Sequence, residues 1–210
     1  MASRGKQPGA SGTPVRTFGE MIVDPFRTQA GPDLGALSDQ AHSPRFISDH
    51  ELFETFVTPQ MMRYLQVKMP ELSRETLFGR ICELLKYLIL VQFSPGRILF
   101  GREIDDVWHC WILQTRQYAQ LCEKLPGDSF RHHSSNDYQE TAEAAANTVG
   151  ISDALQRALS FFISYYRNFG PMTNDRLACW PVLQQLAQAA EWDLEELNGF
   201  LHERAMLGSA

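Results

Sequence analysis

Residues 74–93 read RETLFGRICELLKYLILVQF, and this stretch decides the fold that the sequence predicts. Ser73 stands before it as an N-cap residue, and Pro95-Gly96 follows it as a stop signal. From Leu84 to Val91 the predicted helix is apolar almost all round, whereas a surface helix carries a single apolar stripe. The pattern therefore predicts a central helix that is buried on several sides.

The sequence on both sides of this stretch predicts further helices and no strands. No run of useful length alternates between apolar and polar residues, and no internal repeat is present. Capping patterns and Pro or Gly breaks place helices at about 49–58, 60–68, 103–124, 136–147, 152–169, 174 onwards with a break at Trp180-Pro181, and 193–207. We expect an all-α fold, a single irregular bundle of about six or seven helices around the central helix.

Residues 1–45 differ in composition from the rest of the chain. They are rich in Gly, Pro, Ser and Ala and hold few apolar residues. A segment of this kind cannot bury enough apolar surface to offset the entropy that it loses on ordering. We therefore expect a largely disordered N-terminal tail over residues 1–45 and a helical domain over residues 46–207.

Composition and charge exclude several classes of protein. Of the 210 residues 44% are hydrophobic, and the formal net charge of −6 comes without the basic stripe that nucleic-acid binders carry. No stretch of about twenty apolar residues is present, so we expect no membrane partner. The N-terminus lacks the apolar segment of a secretory signal, which predicts a cytoplasmic protein. The four widely spaced cysteines are expected to be reduced and mostly buried.

Residues 103–133, EIDDVWHCWILQTRQYAQLCEKLPGDSFRHH, hold the side chains best suited to chemistry. On a single helix, Asp105, His109 and Arg116 share one face, because positions three or four apart overlie each other. After the Pro-Gly break, His132 and His133 are placed to fold back over that face. The stretch therefore predicts a cluster of one acid, up to three imidazoles and a guanidinium group.

This cluster has the composition of a metal site. An acid one turn before a histidine can hold the tautomer of the imidazole or share a metal ion with it. Two imidazoles and a carboxylate suit a divalent transition metal such as Fe, Zn or Cu, with open positions for substrate. The sequence thus predicts metal binding by Asp105, His109 and His132 or His133. The predicted catalytic residues are Asp105, His109, Arg116 and Tyr118.

The same residues are also compatible with a purely structural role. Arg116 can pair with Asp105 and form a buried polar network that fixes helix packing. Beside it, the face with Trp108, Trp111 and Tyr118 is more typical of core packing than of a pocket wall. Cys122 lies on the far side of the helix from His109 and is expected to be a buried thiol.

Part of this pattern resembles the glycine-rich domain-containing protein family, and its short bacterial members in particular. The residues that carry the resemblance are Ile104-Asp105-Asp106-Val107-Trp108-His109, Ile112-Leu113, Thr115, Tyr118, Cys122 and His132-His133, with Phe169-Gly170 and Trp180-Pro181 further on. The resemblance covers about residues 50–200 and departs from the family at Trp111, where many members have a second histidine. It implies that these residues belong to one site, and it implies no particular reaction.

Two main functions follow from the sequence, and a metal-free acid–base enzyme that uses Asp105 and His109 is a third option. The first is a metal-dependent, non-haem enzyme that acts on a small-molecule metabolite, with His109 and His132 or His133 as ligands. In it Asp105 is a ligand or orients His109, and Tyr118 or Arg116 binds substrate. The alternative is a non-catalytic helical interaction domain in which Asp105, His109 and Arg116 form a buried network.

Overall fold

The central helix of the fold is α3 (Arg74–Leu90). The computed structural model describes residues 46–94, 98–125 and 148–207, the last range with side chains from residue 155 onwards. Every residue of α3 from Ile81 to Leu90 is buried. The prediction of a central helix surrounded on several sides is therefore confirmed.

The described ranges contain nine α-helices and no strand, which confirms the all-α prediction. A short 3-10 turn, Val91–Phe93, extends α3 at its C-terminal end. The other helices are α1 (Asp49–Phe56), α2 (Pro59–Lys68), α4 (Arg102–Ile112), α5 (Thr115–Lys124), α6 (Thr148–Phe169), α7 (Asn174–Ala178), α8 (Pro181–Ala189) and α9 (Leu194–Leu207). Residues 1–45 and the predicted helix over 136–147 lie outside the described residues.

The first three helices begin at side chains that cap their N-termini. Ser48 and Glu51 form a reciprocal capping box at α1, with the Ser48 Oγ accepting from the Glu51 backbone N–H. Thr58 caps α2 ahead of Pro59, and Ser73 caps α3 through the backbone N–H of Thr76. These side chains satisfy N–H groups that have no partner within their helices.

The predicted helix over residues 103–124 is two helices, because the chain breaks at Leu113 and Gln114. The backbone of Gln114 (φ −92°, ψ 64°) is not helical. The break lets Trp111 and Tyr118 both enter the core and leaves Leu113 exposed. Tertiary packing therefore overrides a helical pattern that contains no Gly or Pro.

Most of the other helices pack around α3. Helices α1, α2, α4, α6 and α7 contact α3, and α9 packs along α6. The centre is aromatic, with the ring of Trp180 about 5–6 Å from those of Phe161, Phe162 and Tyr165. None of the helices in the described ranges combines the length and the apolar composition that crossing a membrane requires.

The cysteines are all free, and three of the four lie in the core. Cys110 is the half-buried exception. Burial raises the pKa of the Cys179 thiol to about 12 and also raises that of Cys82. The expectation of mostly buried cysteines, Cys122 among them, is confirmed.

Candidate functional site

Asp105 and His109 form a close pair on α4. The imidazole Nδ1 of His109 lies 3.1 Å from Asp105 Oδ2 and 3.0 Å from the main-chain oxygen of Asp105. Asp105 is only 7% exposed, whereas the side chain of His109 is 49% exposed. A buried acid therefore holds one edge of a histidine ring that solvent can reach.

This contact determines which tautomer of neutral His109 is favoured. Both atoms of Asp105 that face Nδ1 are acceptors, so the ring proton is most stable on Nδ1. The lone pair of the neutral ring is then on Nε2. An imidazole oriented in this way by a carboxylate is typical of histidines that bind metals or transfer protons.

Arg116 does not join this pair. The sequence predicts it on the face of Asp105, but the break at Leu113-Gln114 places it, exposed, on a separate helix, α5. The single helix face that the sequence predicts for Asp105, His109 and Arg116 is therefore divided between α4 and α5.

Tyr118 is a core residue rather than a group on the surface of the site. It has no exposed area, and its hydroxyl accepts a hydrogen bond of 3.0 Å from Trp108 Nε1. Trp108 is also buried, with its ring 5.5 Å from that of Tyr87. The expectation that Trp108, Trp111 and Tyr118 pack in the core is confirmed.

The other predicted ligands, His132 and His133, lie outside the described residues. Within the ranges that the structure describes, no three His, Cys, Asp or Glu side chains are grouped so that they could hold a metal ion. Of the predicted metal ligands, Asp105 and His109 lie within the described residues.

A second polar cluster, which the sequence analysis missed, lies in the middle of the core. The carboxylate of Glu83 accepts hydrogen bonds from Lys86 Nζ at 2.6 Å, from the Tyr165 hydroxyl at 2.8 Å and from Trp180 Nε1 at 2.7 Å. Lys86 is 0% exposed, and its Nζ also lies 2.6 Å from Asp49 Oδ1. These contacts join α1, α3, α6 and the start of α8.

Arg176 completes this buried cluster and balances its charge. Its Nη2 donates to both carboxylate oxygens of Asp49 at 3.1 Å. Its Nη1 donates to the main-chain oxygens of Phe169 and Pro171. Two carboxylates, from Asp49 and Glu83, therefore face two cations, as a buried ionic cluster requires.

Burial and charge both shift the pKa values in the cluster. Burial raises the pKa of the Tyr165 hydroxyl well above its ordinary value, and the Glu83 carboxylate adds to the rise, so Tyr165 stays protonated. Burial alone would also raise the pKa of Asp49. Lys86 and Arg176 together outweigh it, so the pKa of Asp49 lies below its ordinary value of 3.8.

One signal in the sequence could have revealed this cluster. Glu83 and Lys86 are charged residues, one helical turn apart, within the part of α3 (Ile81 to Leu90) that is buried all round. Charged side chains are almost never fully buried unless they are paired. The pattern therefore required buried partners, although it could not name them.

The family of the chain is shown by comparison with known proteins. The family model described as UCP032817-like matches residues 45–186, which is more than half of the chain. The chain belongs to the UCP032817-like family. The resemblance to the glycine-rich domain-containing protein family is therefore wrong. Several residues that carried it, such as Trp108, Tyr118 and Cys122, are core residues, and packing alone can produce such a spaced pattern.

The Asp105–His109 pair and the ionic cluster around Lys86 both lie within the region that the UCP032817-like model matches. Asp105 and His109 are inside it, and so are the six residues of the ionic cluster, Asp49, Glu83, Lys86, Tyr165, Arg176 and Trp180. Helix α9, which packs along α6, follows that region. No curated protein and no solved structure matches the chain.

Proposed function

We propose that this protein is a metal-dependent enzyme that acts on a small molecule at a His/carboxylate site centred on His109. The observation that supports the proposal is the contact of 3.1 Å between His109 Nδ1 and Asp105 Oδ2. It couples a buried acid to a half-exposed imidazole, whereas the central pair of the ionic cluster, Glu83 and Lys86, is buried.

In this proposal His109 coordinates the metal through Nε2, and Asp105 orients His109 from the other edge of the ring. Such an acid fixes the ring and makes Nε2 a better electron donor to the metal. His132 or His133 supplies a further imidazole. A divalent transition metal held this way keeps open positions, where it can polarise a small substrate or activate a water molecule.

Arg116 and Tyr118 have different places in the proposal. Arg116 is exposed and one helix away from His109, so it is a candidate for binding an anionic group of a substrate. Tyr118 is fully buried and bonded to Trp108, so the proposal assigns it to packing.

The test is metal binding by protein purified without a histidine tag. We expect about one equivalent of Fe, Zn or Cu to bind on titration of the apoprotein. His109→Ala should stay folded and lose this binding. Asp105→Asn should weaken it by about 10- to 100-fold, as expected for a residue that orients a ligand.

His50→Ala is the matched control, because His50 is an exposed histidine that pairs with a carboxylate, Glu54, one turn away on α1. It should bind metal like the wild type. Comparison of His132→Ala with His133→Ala identifies the second imidazole. One of these two substitutions should abolish metal binding. No uptake by the wild type, or equal uptake by His109→Ala, would contradict the proposal.

The ionic cluster favours a second candidate, a non-catalytic helical interaction domain. Buried Lys86 is paired with both Glu83 and Asp49 and thereby ties α3 to α1, which is a packing role. In that case the contact of His109 with Asp105 is also only structural. His109→Ala would then lower the free energy of unfolding. Neither the wild type nor this variant would bind metal.

A further inference from the structure

A groove runs between α1, α2 and the start of α3. Two adjoining hollows of about 640 Å³ and 430 Å³ form it, and both are lined by Phe53, Met62 and Arg74, one residue from each helix. The larger hollow alone has the size of a ligand site, which is typically about 300–1,000 Å³. Asp105 and His109 line neither hollow, so the groove is separate from the metal site proposed above.

A large part of the groove lining is apolar. The rings of Phe53 and Phe78 lie 5.0 Å apart, and both side chains are only half-buried. Val57 and Met62 add further apolar lining. Apolar side chains that gather in an open groove are typical of a surface that binds another apolar segment.

The charged residues of the larger hollow are mostly positive. Among the described residues, Arg63 and Arg74 line it with a single acid, Glu54, and all three are exposed. Glu54 Oε1 already lies 3.1 Å from His50 Nε2. In the smaller hollow Arg74 and Glu75 have opposite charges. The groove therefore suits an occupant with an apolar centre and acids beside it.

A segment of this composition precedes the described helices in the same chain. Residues 18–26 read FGEMIVDPF. Met21-Ile22-Val23 are the only three large apolar residues that are consecutive within residues 1–45, and the acids Glu20 and Asp24 stand on either side of them. The segment thus combines the apolar centre and the negative charges that the groove suits.

We propose that residues 18–26 of this chain dock into the groove between α1, α2 and α3. The apolar run Met21-Ile22-Val23 covers the exposed parts of Phe53 and Phe78. The acids on either side of this run pair with the two arginines of the larger hollow.

The length of the chain allows this docking within one molecule. Residues 25–45 connect the segment to Phe46, where the described part begins, and can span up to about 70 Å. Helix α1 begins at Asp49 and has eight residues, so its whole length of about 12 Å is within reach. A connection of this kind keeps the segment at an effective concentration far above that of a second copy in dilute solution.

Cleavage of the full chain by an arginine-specific protease measures docking, because Arg27 directly follows the segment. The protease binds several residues on each side of the cut, so the rate of cleavage after Arg27 reports the undocked fraction. The double variant Arg63→Glu, Arg74→Glu should raise this rate by about tenfold, because attraction to the acids of the segment becomes repulsion. Cleavage after Arg4, which is distant from the segment in the sequence, should keep its rate.

Exchange of the charges tests the pairing itself. Glu20→Lys together with Asp24→Lys should speed cleavage after Arg27 by a similar factor, and an arginine-specific protease does not cut at the new lysines. The protein with all four substitutions should regain slow cleavage, because opposite charges face each other again. A double variant that had lost its fold could not regain this protection.

Two substitutions before the described helices test the apolar contact. Ile22→Asp should speed cleavage after Arg27 by about tenfold or more, because a charge is costly to bury against Phe53 and Phe78. Leu37→Asp is the matched control, because it also places an acid at an apolar position within residues 1–45 but outside the segment. Its rate of cleavage after Arg27 should equal that of the wild type.

Three outcomes would overturn the proposal. The first is an unchanged rate of cleavage after Arg27 in the double arginine variant. The second is a failure of the charge exchange to restore slow cleavage. The third is protection of Arg27 that increases with protein concentration, which would mean that the segment binds a second copy of the chain.

Discussion

The ammonium group of Lys86 has no exposed area and lies 2.6 Å from carboxylate oxygens of both Glu83 and Asp49. Replacing Lys86 by Met removes the nearest cation but leaves both acids in place. Removing one partner of a buried ion pair costs about 3–5 kcal/mol, because the remaining charge is left without compensation. We expect Lys86→Met to lower the free energy of unfolding by about this amount, measured by urea denaturation.

Lys68→Met is the control for the loss of a lysine. Lys68 is exposed at the end of α2, so its replacement should change the free energy of unfolding by no more than about 0.5 kcal/mol. Adding Glu83→Gln to Lys86→Met should cost less than the sum of the two single changes, because the removed charges compensate each other. Equal stability of the two lysine variants would mean that the cluster contributes little.

At the same scale, the sequence predicts local pairs better than distant ones. Asp105 and His109 are four residues apart on one helix, so their contact could be predicted from spacing alone. Lys86 and Tyr165 are 79 positions apart, and Glu83 and Trp180 are 97 apart. Those contacts depend on how α3, α6 and α8 pack, which no local pattern specifies.

At the scale of elements, capping residues predicted the starts of α1 and α3, and the end of α4 was missed. Ser48 and Ser73 cap these two helices as the sequence predicts. The cap of α2, Thr58, was predicted only as the end of the preceding helix, and α6 begins at Thr148 and not at residue 152. Leu113-Gln114 contains no residue that ends helices by itself. The break forms because the burial of Trp111 and Tyr118 stabilises the fold by more than two further helical residues would.

Gly101 is a glycine at which helix packing leaves no room for a side chain. It is the N-cap of α4, and its N–H donates to the main-chain oxygen of Cys179 at 2.8 Å. A Cβ atom at this position would lie 3.0 Å from that same oxygen and would collide with the Glu103 carboxylate. We expect Gly101→Ala to destabilise the protein by about 1–3 kcal/mol in thermal or urea unfolding, because backbone atoms must move apart.

Gly79→Ala is a matched control with the opposite expected sign. Gly79 lies inside α3, and a Cβ atom there meets nothing within 4 Å. Alanine in a helix interior is favoured over glycine by up to about 1 kcal/mol. If Gly79→Ala raises stability and Gly101→Ala lowers it, the lower stability of Gly101→Ala is due to close packing at the start of α4. Similar results for both would contradict this explanation.

At the scale of the whole molecule, the buried ionic cluster makes stability depend on pH. The pKa of Asp49 lies below its ordinary value of 3.8 because Lys86 and Arg176 outweigh the effect of burial. The folded state therefore binds a proton at Asp49 less readily than the unfolded chain does. The stabilisation is complete above pH 3.8 and is lost as the pH falls through the lower pKa of the folded state.

Comparison of the wild type with Asp49→Asn isolates this contribution from those of the other acids. At neutral pH the variant should be less stable, because Lys86 and Arg176 lose a charged partner. The difference between the two free energies of unfolding should shrink from about pH 4 downwards, as Asp49 of the wild type becomes protonated. Urea denaturation at a series of pH values measures both curves.

Asp106→Asn provides the reference for an acid in an exposed ion pair. Asp106 lies 3.4 Å from Arg102, and both side chains are largely exposed. Exposed pairs contribute little, so the curve of this variant should follow that of the wild type at every pH. If the difference for Asp49→Asn stays constant down to about pH 2, Asp49 stabilises the fold by its shape and neutral hydrogen bonds. A difference that vanishes in acid instead identifies the charge that joins α1 to α3 as the source of the stability.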